Sequence, residues 1–180
     1  MITCTSLDES GIKCELPKKT IAVFPGKAGA GEADIILKAS PDEEPKKGEI
    51  SWPGEYDTDG VAIRGIGHDE GRQVSYAVSA EGRRLAFLSS PLHDWTDREI
   101  EMLGDIDVLF IPADDAKKAQ RIIEEVDPRV LVPLPTKDEK AFAELLKLCG
   151  ALGKELSDEY KIKGALPEEG REVVILKPRE

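Results

Sequence analysis

Near residue 90 the hydrophobic period of the sequence changes, and that change limits the architectures open to the chain. Before it the apolar residues fall in short β-compatible runs. These are Ile2 to Ser6, Ile12 to Leu16, Thr20 to Phe24, Asp34 to Lys38, Glu49 to Trp52, Tyr56 to Asp57, Val61 to Ile66, Val74 to Ser79 and Arg84 to Leu88. Turn-forming residues separate the runs, and Asp59-Gly60 and Ala80-Glu81-Gly82-Arg83 read as tight hairpins. After the change, strands alternate with amphipathic stripes. Thr96-x-x-Glu99 is a capping box opening a short helix through Leu103, Asp107 to Ile111 is a buried-type strand, and Asp114 or Asp115 caps a helix with Ala116, Ala119, Ile122, Ile123 and Val126 on one face. Val130 to Pro133 is the next strand. Thr136-x-x-Glu139 reads as a second capping box ahead of Phe142, Leu145, Leu146 and Cys149, with Gly150 ending that helix. Tyr160 to Lys163 and Val173 to Leu176 supply late strands. A strand-rich half followed by a βαβα half implies two sheets with helices packed outside them.

Length allows one domain, taken as residues 1–180, with a sizeable core. Twenty-five basic against 36 acidic residues leave a net charge of −11. A surface this acidic repels phosphate backbones and anionic headgroups, so neither nucleic acid nor a membrane is the expected partner. Met1 to Leu16 holds no apolar h-region and no apolar run approaches a membrane span, so the expected compartment is the cytoplasm. The absence of Asn and the scarcity of Gln beside abundant Glu, Lys and Arg match a thermophile bias. Cys4, Cys14 and Cys149 form no CxxC pair and read as reduced thiols. Gly26, Gly29 and Gly31 lack the Lys-Ser/Thr of a phosphate-binding loop and read as a tight turn.

Four segments carry a resemblance. Ala33-Asp34-Ile35-Ile36, the stretch from Pro53 to Ile66, the stretch from Leu103 to Pro112, and Asp127 to Pro133 together resemble successive landmarks of the metallo-β-lactamase-fold hydrolases, in their compact bacterial and archaeal branch. The resemblance covers roughly residues 1 to 150 and implies a four-layered αββα sandwich with a dinuclear metal site on loops at one edge. It also implies where the ligands would stand. The His-x-His-x-Asp-His motif falls on Ser40, Pro41, Asp42, Glu43, Glu44 and Pro45, the bridging carboxylate on Ser90 after Ser89, and the late histidine on or beside Pro135. Phe24-Pro25 replaces an Asp-Pro pair. His68-Asp69 matches a His-Asp pair of this branch.

A hydrolytic zinc site needs three protein ligands and an open position. The residual candidates are His68 with Asp42 and Glu44, whose carboxylates suit one weakly held hard cation. Asp69, His93 and Asp94 are candidates beside such a site or in its pocket. The main expectation is a degenerate member of the fold that holds no cofactor, lacks zinc hydrolase activity and serves as an interaction or regulatory module through a protein partner or self-association. The alternatives are a metal-dependent hydrolase with a reduced site around His68, and a metal-free small-molecule binder with a cleft between the loops after residues 38, 66, 88 and 133. Ser89 or Ser90 beside His93 and Asp94 has the residue types of a triad but no GxSxG elbow. Trp52 and Trp95 read as core, or as a partner surface if both are exposed.

Overall fold

The computed structural model describes residues 1–8, 10–26 and 29–179. Strands β1 (Ile2–Ser6), β2 (Ile12–Glu15), β3 (Thr20–Val23), β4 (Ile35–Leu37) and β5 (Glu49–Ile50) open the chain, followed by β6 (Gly54–Thr58), β7 (Val61–His68), β8 (Gln73–Ala80) and β9 (Arg83–Phe87). The second half runs α1 (Asp97–Leu103), β10 (Val108–Pro112), α2 (Ala116–Val126), β11 (Val130–Leu134) and α3 (Glu139–Leu148), then β12 (Leu156–Ser157), β13 (Tyr160–Ile162), β14 (Glu172–Val173) and β15 (Ile175–Leu176). The first sheet has the order β13-β1-β2-β3-β4-β5, the second β14-β11-β10-β9-β8-β7-β6, and β12 pairs with β15 alone.

Two cores follow from strand alternation. Val61 and Ile63 of β7, Val74, Tyr76 and Val78 of β8, and Leu85 and Phe87 of β9 face the first sheet and meet Ile2, Cys4, Ile21 and Leu37. The opposite face, with Ile66, Ala77, Ala86 and Leu88, meets Leu103, Ala116, Ile122, Ile123, Leu145 and Leu146 of the helices. The two face-to-face sheets fit the metallo-β-lactamase type of αββα sandwich, with α1, α2 and α3 forming the outer layer on the second sheet and no helix over the first among the described residues. β10 and β11 are covered on both faces and buried at every position, as parallel central strands must be.

The hairpins form where read. Asp59-Gly60 and Glu81-Gly82 have φ of 47° and 83°, and 54° and 71°, the positive pair that a two-residue type I′ turn demands. Two readings are corrected. The N-cap of α3 is Asp138, whose side chain accepts from Ala141 N–H at 3.0 Å, while Thr136 accepts from Asp138 N–H one turn earlier, so Thr136 and Glu139 form no box. The late run from Val173 splits at Val174, because Glu172–Val173 extends β11 whereas Ile175–Leu176 turns away to β12. Between Asp114 and Asp115 it is Asp115 that caps α2. Cys4 and Cys14 face each other across β1 and β2 as buried thiols 3.3 Å apart, and Cys149 is half-buried.

Candidate metal centre

β7 ends on His68, which points to the helix-facing side of the second sheet. Antiparallel pairing sets His68 opposite Gln73, and Ser75 follows two residues on, on the same face. The Thr96 N-cap forms: Glu99 N–H donates to Thr96 Oγ1 at 3.2 Å, and the return bond to Glu99 Oε1 at 3.1 Å comes from the Thr96 hydroxyl where a standard capping box uses the backbone N–H. That cap fixes Glu99 on the first turn of α1, and its other carboxylate oxygen lies 2.5 Å from His68 Nδ1. The loop between β9 and α1 then lays His93 over His68, ring centroids 4.5 Å apart and nearly parallel, with His93 Nε2 3.7 Å from Glu99 Oε1. Trp95 packs edge-on to the His68 ring, with centroids 4.5 Å apart.

Three donor groups thus converge: one atom each from His68, His93 and Glu99 lie within 4.8 Å of one another. The His68 side chain is fully buried, while His93 and Glu99 keep 28% and 18% of theirs exposed, so the cluster opens to solvent on one side. Burial pulls the His68 pKa below the ordinary imidazole value, the adjacent Glu99 carboxylate pushes it up, and His93 adds to the lowering. A neutral ring donates from Nδ1 to Glu99 and accepts at Nε2 from the Ser75 hydroxyl, 3.0 Å away. Ser75 Oγ in turn accepts from Ser89 N–H at 3.0 Å and lies 3.1 Å from Ser89 Oγ, which accepts from Gln73. Ser75, His68 and Glu99 have the distances of a catalytic triad, but Ser75 is sealed inside the sheet and cannot meet a substrate.

The sequence profile of the β-lactamase superfamily domain matches residues 14–135. The chain belongs to the metallo-β-lactamase superfamily. Among solved structures it is similar to a Thermotoga maritima protein whose name proposes a zinc-dependent hydrolase of this superfamily, with 21% identity and TM-score 0.78 over 98% of this chain and 99% of that one. It is also similar to a Parabacteroides distasonis protein whose name proposes a metal-dependent hydrolase (18%, 0.68, 99% and 94%). Igni18, a metallo hydrolase from Ignicoccus hospitalis, is a third (14%, 0.65, 99% and 96%). No curated protein matches.

Set beside the metallo-β-lactamase motifs, the donor set of this chain is a reduced one. Asp42 and Glu44 do not join His68. The Asp42 carboxylate takes Lys38 Nζ at 3.0 Å and Glu44 N–H at 3.0 Å, and Glu44 is exposed on the same loop. The Lys38 ammonium beside Asp42 holds that carboxyl below the usual range. Ser40 and Pro45 are exposed and offer no imidazole. Asp69 sits in the turn after β7 with φ of 50°, and Asp94 is taken by Arg121 at 3.0 Å. Trp95 is core, but Trp52 is half exposed with its indole N–H on Asp42 O, so the two tryptophans form no common surface.

Ser90 and Pro135, where the family would place a bridging carboxylate and a histidine, line a cleft of about 270 Å³ together with Ser10, Asp114 and Lys137. The loops after residues 38 and 66 take no part in it. Asp114 fills the local need for an acceptor: the Ser90 hydroxyl lies 3.0 Å from each of its carboxylate oxygens and Leu92 N–H donates to it at 2.7 Å. Removing that carboxylate strands a backbone N–H and a hydroxyl. Asp114→Ala is expected to cost about 1–3 kcal/mol in urea unfolding, and a change within 0.5 kcal/mol would show that water replaces it.

Glu99 is the residue that sequence reading missed as a ligand, because its spacing to Thr96 already accounts for it as a cap. Its pairing with His68, 31 positions away, arises only when α1 packs on β7.

Proposed function

We propose that this chain is a metal-dependent hydrolase reduced to a single-ion site, with His68, His93 and Glu99 holding one divalent cation. The observation that carries this reading is the convergence of three donors on one partly open point. Two imidazoles and a carboxylate with one open position form a donor set used by catalytic zinc, and the same set suits other borderline divalent ions. The family's larger ligand set is not met, so the fit is to one ion and not to a pair. Bound there, the ion would lower the pKa of a water and polarise a substrate oxygen.

The chain's own residues support that role. If Nδ1 held the ion, the His68 ring would carry its proton on Nε2 and donate it in a hydrogen bond to Ser75 Oγ, which would fix the ring orientation from behind. Glu99 is held by the Thr96 cap, so its carboxylate is positioned without an ion. Trp95 shields the buried side of the site from water.

The closed hydrogen-bond chain from Glu99 through His68 and Ser75 to Ser89 and Gln73 favours a second reading, in which the cluster serves structure alone and the protein acts through a partner or a second copy. Titration of chelator-stripped protein with Zn or Mn separates the two. One equivalent of saturable binding is expected, weakened roughly tenfold or more in His93→Ala and Glu99→Gln, whose side chains are partly exposed. Hydrolysis of a panel of activated esters and phosphodiesters should follow metal occupancy. Absence of saturable binding, or binding unchanged in both variants, would overturn the metal reading.

A further inference from the structure

The helices leave one flank of the second sheet open. Over β6, β7, β8 and the start of β9 the side chains on the helix-facing side form two cross-strand rows, Asp57-Ala62-Ser79-Arg84 and Glu55-Arg64-Ala77-Ala86, the second running into the core at the buried Ala77 and Ala86. Small residues make the floor, and a cleft of about 310 Å³ lies over it. No residue of the metal centre lines this cleft.

Its charges are unequally satisfied. Arg64 is committed: it holds Glu55 at 2.5 Å and donates to Met102 O at 3.1 Å, so these two charges cancel. Arg84 lies against Gly104 at the end of α1, and its guanidinium makes no hydrogen bond or ion pair among the described residues. Its Nε is buried from solvent without an acceptor. Water satisfies an arginine on the open surface, whereas a buried N–H with no partner is costly to leave unmet. Asp57 stands at the other end of its row, three strand spacings or roughly 14 Å away, beyond a physiological Debye length of about 8 Å. The Asp107 carboxylate is nearer, but it accepts from the Arg84 backbone N–H at 2.9 Å and makes no ion pair with the guanidinium among the described residues, so the side-chain charge of Arg84 is left unpaired.

We propose that this cleft binds a small molecule through one oxyanion group, a carboxylate or a phosphate monoester, seated on Arg84 with the Ser79 hydroxyl beside it. Ser79 is the register partner of Arg84, so both present donors on the same side of the sheet. Ala62 and Ala77 give the rest of the ligand an apolar seat. A polyanion is disfavoured, because a second negative group would meet Asp57 and the acidic surface around it.

The test is a titration of metal-stripped protein, followed by amide chemical shifts, with inorganic phosphate and with butyrate at matched ionic strength. Saturable one-site binding of at least one probe is expected, with shifts centred on β7 to β9, and the probe that binds identifies the oxyanion. Arg84→Gln should weaken binding roughly tenfold or more. Ala62→Leu projects from an exposed position into the cleft and should block binding while leaving the far-ultraviolet spectrum unchanged. His93→Ala should bind as the parent does, which separates this site from the metal centre. No saturable shift with either probe, or equal affinity in Arg84→Gln, overturns the proposal.

Discussion

Trp95→Ala lowers the free energy of unfolding by about 3–5 kcal/mol, the expected cost of emptying a large aromatic site that cannot collapse. Trp95 is 2% exposed and is the largest fully buried side chain, packed among the residues between the second sheet and the helices and set edge-on to His68. Its backbone carbonyl is pinned by Arg121 from α2 at 2.8 Å, so the segment that carries it cannot slide inward to fill a void. The indole Nε1 is buried with no acceptor, so the side chain contributes by packing alone and its polar atom is a liability. Trp95→Phe therefore separates the two terms: it keeps most of the volume, removes the orphan donor, and should cost less than about half of the Ala change. Denaturant unfolding of both variants checks this. Equal costs for Phe and Ala would show that the indole N–H has a partner after all. Trp95→Ala should also loosen the His68 ring and weaken metal binding in the folded protein, because it removes one of the two rings packed against that imidazole.

The strands, the two type I′ hairpins, the Thr96 cap and the α2 stripe were legible because each rests on local chemistry: alternation, positive φ at Asp59-Gly60 and Glu81-Gly82, and a side chain three residues from the amide it caps. The cap of α3 lies outside the Thr136-x-x-Glu139 spacing because Asp138, two residues on, reaches the Ala141 amide with its carboxylate and leaves Thr136 to accept from the Asp138 N–H. The site divides the same way. His68 and His93 stand out in a chain with two histidines. Asp42 and Glu44 looked like ligands by proximity to the family's motif, but a carboxylate on an exposed loop takes the nearest cation and amide, here Lys38 and the N–H of Glu44. Glu99 and Ser75 could not be found this way, since their partnership with His68 depends on the packing of α1 and on the register of β7 against β8.

Gly48→Ala is the second large loss, expected at about 2–4 kcal/mol. Two independent costs combine at this position. The backbone has φ of 85°, where an L-side chain costs roughly 1–2 kcal/mol. A Cβ would also stand 2.6 Å from the carbonyl oxygen of Asp34, closer than any real contact, and the obstacle is main chain that cannot rotate aside. Relief requires β5 to back away from β4, which breaks the bond from Ile36 N–H to Gly48 O at 2.8 Å and disturbs that from Lys38 N–H to Ile50 O at 2.9 Å. It also strains the Tyr76 hydroxyl, whose bonds to Lys38 O at 2.6 Å and Ile50 O at 3.0 Å tie this sheet edge to the second sheet. Gly82→Ala is the control: φ there is 71°, but open space surrounds the position, so only the dihedral cost applies. The difference between the two variants in denaturant unfolding isolates the contact with Asp34. Equal destabilisation would mean that β4 and β5 separate freely, and that the Tyr76 tie contributes nothing to holding the first sheet closed over its core.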